Sequence, residues 1–177
     1  MKWILVLAPF AVAIIAAVAF VVIAGSLMPR EHTATRALRL NQPPEAVWDV
    51  VTDFPAIPSW RPSIARCEAL PDQGGKPVWN HVSNGAGGDA IPLRVDELSP
   101  PARMVTTIAD DALPFGGTWM WELFPAEGGC IVRITEDGFV KPAAFRYISR
   151  IMGHDATIRE YLTDLARKFG ESPRFVI

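Results

Sequence analysis

A surplus of basic charge is the first thing this chain lacks: 17 Lys and Arg stand against 19 Asp and Glu, for a formal net charge of −2. With no basic stripe to neutralise phosphates, nucleic acid is excluded as a partner. Cysteine is scarce as well. Cys67 and Cys130 fall within two different strand-like runs and show no metal-ligand spacing, so they read as two buried free thiols. The three histidines, His32, His81 and His154, form no His-x-x-x-His pair. No Ser-His-Asp order, glycine-rich phosphate loop or nucleophile motif is present, and neither is an internal repeat or a low-complexity segment. No cofactor and no metal is expected.

What the chain has is apolar residues, 50% of its 177. None is charged from Trp3 to Met28, and LVLAPFAVAIIAAVAFVVIAG exceeds the roughly 20 residues that cross the hydrocarbon core of a bilayer. Residues 1–29 therefore read as a transmembrane anchor, with residues 3–28 in the membrane, Trp3 near one headgroup layer and Pro9 in the first turns. Residues 30–177 are left as one domain. A signal peptide is the competing reading, but its apolar region is usually only about 7–15 residues. The expected setting is a single pass through a bacterial inner membrane. The side of the domain stays open, since Lys2 flanks one end of the span and Arg30, Arg36 and Arg39 the other.

After the span, EHTATRALRL alternates like a strand, with Ala34, Arg36, Leu38 and Leu40 on one face. NQPPEAVWDVVTDF follows with prolines at its first turn and Val47, Val50, Val51 and Phe54 at helical spacing, a short helix with one apolar side. Pro55, Pro58 and Pro62 then surround Trp60 and rule out a long helix or a central strand. Six runs of strand length come next, SIARCEAL, KPVWNHVSN, AIPLRVDEL, RMVTTIADD, GTWMWELF and CIVRITEDGFV, separated by turn formers such as PDQGG and PAEGG. Such short links predict a meandering antiparallel sheet of about seven strands. Ile91, Leu93 and Val95 share a face, as do Trp119, Trp121 and Leu123, and Val132 and Ile134. The chain ends in one amphipathic helix between Pro142 and Gly170, with Ile148, Ile151, Ile158, Leu162, Leu165 and Phe169 in a stripe and Gly153 as a point of weakness. A curved sheet with one apolar face needs that helix as its cover.

This element order, with PPEAVWDVVTDFPAIPSWRPSIARCEAL as its opening, resembles the START-like helix-grip superfamily (SRPBCC) in its polyketide cyclase/dehydrase and lipid-transport branch, over about residues 31 to 170. The resemblance implies an α+β helix-grip fold, a curved antiparallel sheet wrapped on a long C-terminal helix, with a cavity between them. It also implies that the two short helices close one end of that cavity, with Trp60 and its prolines as a hinge.

The expected occupant is a hydrophobic small molecule or lipid, bound through Trp48, Trp60, Trp79, Phe115, Trp119, Trp121, Phe139, Ile151, Asp155 and Ile158. The membrane tether favours a ligand that lives in the bilayer. An enzyme is the less favoured reading, a cyclase or dehydratase using Asp155, His154 or His81 in acid/base catalysis. A third is a membrane-tethered protein-interaction module. Asp155 falls inside the apolar stripe, so either it pairs with Arg159 one turn later or it lines a polar patch of the cavity. Glu122 and Arg133 read as a solvated cross-strand pair, and His32 as a solvated linker residue.

Overall fold

The computed structural model describes residues 2–85 and 88–176, with side chains from residue 10 onward. The element order is α1 (Lys2–Ser26), β1 (Glu31–Leu40), α2 (Pro44–Thr52), a 3-10 turn (Phe54–Ser59), β2 (Ile64–Gln73), β3 (Lys76–Ser83), β4 (Ala90–Ser99), β5 (Arg103–Ile108), β6 (Phe115–Ala126), β7 (Gly129–Val140), α3 (Ala143–Met152), α4 (Ala156–Lys168) and β8 (Arg174–Val176). One sheet holds all the strands in the order β2-β3-β4-β5-β6-β7-β1-β8, so the predicted meander forms with β1 returning to pair with β7. The sheet has eight strands, not seven. The extra one follows Gly170, where the chain turns back and lays Phe175 beside Leu38 at the far edge of β1.

The alternation read from the sequence sets the register. Leu38 lies opposite Val132, Trp121 opposite Ile134 and Leu123 opposite Val132, all nearly fully buried. Antiparallel partners share a face, so these side chains define the concave side. Onto it pack Val47, Trp48 and Val51 of α2 and Ile158, Tyr161, Leu162 and Leu165 of α4. Each large apolar side chain buried there contributes roughly 1.5–3 kcal/mol, so the α4 stripe alone fastens that helix to the sheet.

One reading of the helices needs correction. The C-terminal helix is not continuous. Gly153 sits at φ 86°, a left-handed conformation that a residue with a Cβ rarely adopts, and it ends α3 with its N–H on the Ser149 carbonyl. The apolar stripe divides with it: Ile158, Leu162 and Leu165 are buried against the sheet, whereas Ile148 and Ile151 are exposed on α3, which packs on α1 instead. Among the described residues, no helix is long and apolar enough to cross a membrane. The anchor expected over residues 1–29 draws on Lys2, Trp3 and Pro9, which lie outside the residues whose side chains are described.

Candidate functional site

Following the register outward from Trp121 identifies every side chain on the concave face. Trp119 pairs with Thr106, Thr106 with Val95, Leu93 with Ile108 and with Trp79, and His81 with Ile91 and with Cys67. Trp79, Ile91, Leu93, Ile108 and Trp119 are only half-buried, in contrast to Trp121 and Leu123 beside them. Together they line an incompletely covered apolar trough, whose Trp119 end is reached by Tyr161 of α4 at 6.2 Å. Phe54 from the 3-10 turn stacks on Trp79 at 5.2 Å and forms one wall.

The hollow expected directly beneath α4 is filled. Tyr161 meets Trp121 edge-on at 4.6 Å and Trp60 at 5.2 Å, and the Arg61 guanidinium lies 4.0 Å over the same ring. Trp48, Trp60, Trp121 and Ile158 are therefore core residues. The prolines around Trp60 do stiffen a corner, as Pro55 and Pro58 hold the 3-10 turn, but that corner delivers Trp60 and Arg61 into the core. Burial, helped by the Arg61 charge, pushes the His81 imidazole down to about 4, so this histidine is neutral at physiological pH. Its Nε2, the Trp60 Nε1 and the Arg61 Nε have no partner among the described residues.

A second polar group joins the trough to the α1 side of the domain. Glu136 shares the concave face with Val132 and Ile134; it stands directly across from Trp119 in the strand pairing and lies 3.4 Å from His32 Nε2. His32, in turn, is stacked on His154 with ring centroids 4.0 Å apart. Gly138 makes the arrangement fit, because a Cβ there would lie 2.8 Å from His32 Cε1 and 3.0 Å from the Glu136 carboxylate. Burial raises the Glu136 pKa, against the opposing influence of the Trp119 indole, and burial lowers those of His32 and His154. Each shift favours the uncharged form, as burial of an ionisable group requires. Beyond His32 and His154 lies a cavity of about 200 Å³, bounded also by Arg30, Arg146, Ser149 and Arg150.

Several expected site residues fall elsewhere. Phe139 is on the convex face, where its ring covers Gly116, and Ile151 faces outward on α3. Phe115 is half-buried at the start of β6 and leans toward Phe145 of α3 at 6.5 Å. Asp155 takes the pairing role weighed for it, meeting Arg159 at 3.2 Å, and it also pairs with Arg36 of β1 at 2.7 Å, fastening the start of α4 to the sheet. Glu122 and Arg133 pair across β6 and β7 at 2.8 Å, as the alternation predicts. His32 is not a linker residue but part of β1, because that strand begins at Glu31. Glu136 and Arg61 were missed. The signal for Glu136 was its even spacing from Val132 and Ile134, whereas nothing in the sequence told Arg61 apart from a solvated cation.

The chain matches the family described as polyketide cyclase / dehydrase and lipid transport over residues 31–170. No curated protein is close enough to match. Among solved structures, a Thermobifida fusca protein studied by solution NMR superposes with a TM-score of 0.59 at 24% identity, covering 78% of this chain and 93% of that one. A START superfamily protein from Mycobacterium smegmatis does so with 0.55 at 19% identity, over 73% and 95%. The di-domain ARO/CYC StfQ from the steffimycin biosynthetic pathway gives 0.59 at 16%, over 78% of this chain and 50% of its own. At these identities the likeness concerns the fold.

Proposed function

Because the chain belongs to the polyketide cyclase/dehydrase and lipid transport family, we propose that it is a membrane-tethered domain that carries a hydrophobic small molecule or lipid against the concave face of its sheet. The observation that carries this reading is the half-buried trough of Trp79, Ile91, Leu93, Ile108 and Trp119 on a face whose other half is sealed by α4. Large apolar side chains left partly wet are an incomplete core unless a ligand completes it. The tether is supported by α1, whose residues 10–26 carry no charged side chain and are nearly all exposed. A span with the domain at its end keeps the trough close to ligands dissolved in the bilayer.

The test is native mass spectrometry of the full chain released from nanodiscs, compared with Trp119→Ala. An apolar adduct on the parent chain that is lost in the variant supports the reading. An adduct-free parent chain, or an adduct indifferent to Trp119, overturns it. A second reading, a cyclase- or dehydratase-like enzyme, is favoured by one specific observation, the Glu136–His32–His154 set reached from the trough through Trp119. On that reading Glu136→Gln removes turnover of the co-purified molecule while leaving its binding intact.

A further inference from the structure

α3 has an unusual position for a helix of ten residues. Its one buried side chain is Arg146, whose Nε donates to the Gly25 carbonyl at 2.9 Å and whose Nη1 donates to the Lys141 carbonyl at 2.7 Å. Tyr147 meets Phe20 edge-on at 5.8 Å, so α3 is attached to the last turns of α1. The opposite arc, with Phe145, Ile148, Ile151 and Met152 at helical spacing, is exposed apart from the approach of Phe115 to Phe145; Ile151 is 70% and Met152 68% exposed. That arc runs on into the exposed side chains of α1, among them Phe20, Ile23 and Leu27.

The charges lie where this apolar surface ends. Arg30 and Arg150 border the 200 Å³ cavity at the junction, and none of the ion pairs among the described residues uses either of them. We infer that α3 is an interfacial helix: its Phe145, Ile148, Ile151 and Met152 face docks into the headgroup and acyl boundary of an anionic bilayer beside α1, with Arg30 and Arg150 on lipid phosphates. A short helix with one strongly apolar arc and basic residues at its margin is suited to that depth. A second protein copy fits less well. The exposed apolar residues of α1, such as Phe10, Val12, Ile14, Ile15 and Phe20, point in all directions around the helix, which lipid covers and a single protein face does not. The inference rests on the tether proposed above.

Spin labels on the full chain in nanodiscs, in a Cys67→Ser/Cys130→Ala background, read the two separately. Labels at Val12→Cys report α1, labels at Ile151→Cys and, as a second site, Met152→Cys report α3, and Ser149→Cys reports its polar side. The expected result is that oxygen collides more often than a water-soluble nickel complex at 12, 151 and 152, and less often at 149. Neutralising Arg30 and Arg150 to Gln lowers the enrichment of phosphatidylglycerol over phosphatidylcholine among retained lipids on the order of fivefold for each arginine. A label in lipid at 12 but in water at 151 and 152 leaves the tether standing and refutes the interfacial helix. A label in water at 12 removes the tether and the inference with it. Shielding at 151 only in discs that hold two chains makes a second copy the occupant and overturns the proposal.

Discussion

Lowering the pH from 7 to 4 puts a proton on His81 of the unfolded chain but on only about half of the folded molecules. In the folded chain this imidazole lies on the concave face between Cys67 and Ile91, with the Phe54 ring 6.3 Å away and the Arg61 charge nearby. Burial first and Arg61 second lower its pKa from 6.5 to about 4. Above pH 6.5 both states hold it neutral and its stabilising contribution is complete. As the pH falls through 6.5 toward 4 the unfolded state gains the proton and the folded state resists, so stability drains away across that window and is gone below the folded value. At about 1.4 kcal/mol per pH unit the loss reaches about 3 kcal/mol by pH 4.

The assay is urea unfolding of the full chain in nonionic micelles at both pH values, for the parent and for His81→Leu. His32, His154, Glu136 and Asp164 also titrate with shifted pKa values, but they are present in both proteins and cancel in the comparison. The parent is expected to lose about 3 kcal/mol more than the variant between pH 7 and pH 4. Equal losses would show that His81 takes up its proton in the folded state as readily as in the unfolded one, and the account of His81 as a desolvated imidazole near the Arg61 charge would be wrong.

Two further outcomes follow from the core and the site. Trp121→Ala removes the ring on which Tyr161 rests and is expected to cost about 3–5 kcal/mol in denaturant unfolding; a cost below about 1 kcal/mol would mean that the space beneath α4 is not filled as described. Gly138→Ala places a methyl group against the His32 ring and the Glu136 carboxylate, and about 1–3 kcal/mol of destabilisation together with a changed His32 imidazole NMR signal is expected. An unchanged His32 signal would refute the close fit at that position.

The meander was legible because its sequence alternates with period two and its turns are marked by glycine and proline, and those signals are local. The pairing of Glu122 with Arg133 followed from the same alternation once β6 and β7 were taken as neighbours. The site was less legible, because it depends on register between strands distant in sequence. His32 and Glu136 are over a hundred positions apart and meet only because Glu31 pairs with Phe139 and the pairing runs on through Ala34 and Glu136. Arg61 gave no sign, since a guanidinium in a Trp-Arg-Pro corner looks solvated until a Tyr161 from α4 is known to lie under it.

The C-terminal stripe shows a different limit. Ile148, Ile151, Ile158, Leu162 and Leu165 recur at one helical period, and that period states only that one face avoids water. It does not say whether the face meets a protein core or lipid, since both are apolar and both reward the same spacing. The break at Gly153 decides the matter by letting the two halves take separate directions. α4 keeps the residues that lock onto the sheet, and α3 is free to follow α1. Because His154 and Asp155 sit at that break, stacked on His32 and paired with Arg36, a displacement of α3 is expected to act first on these polar residues.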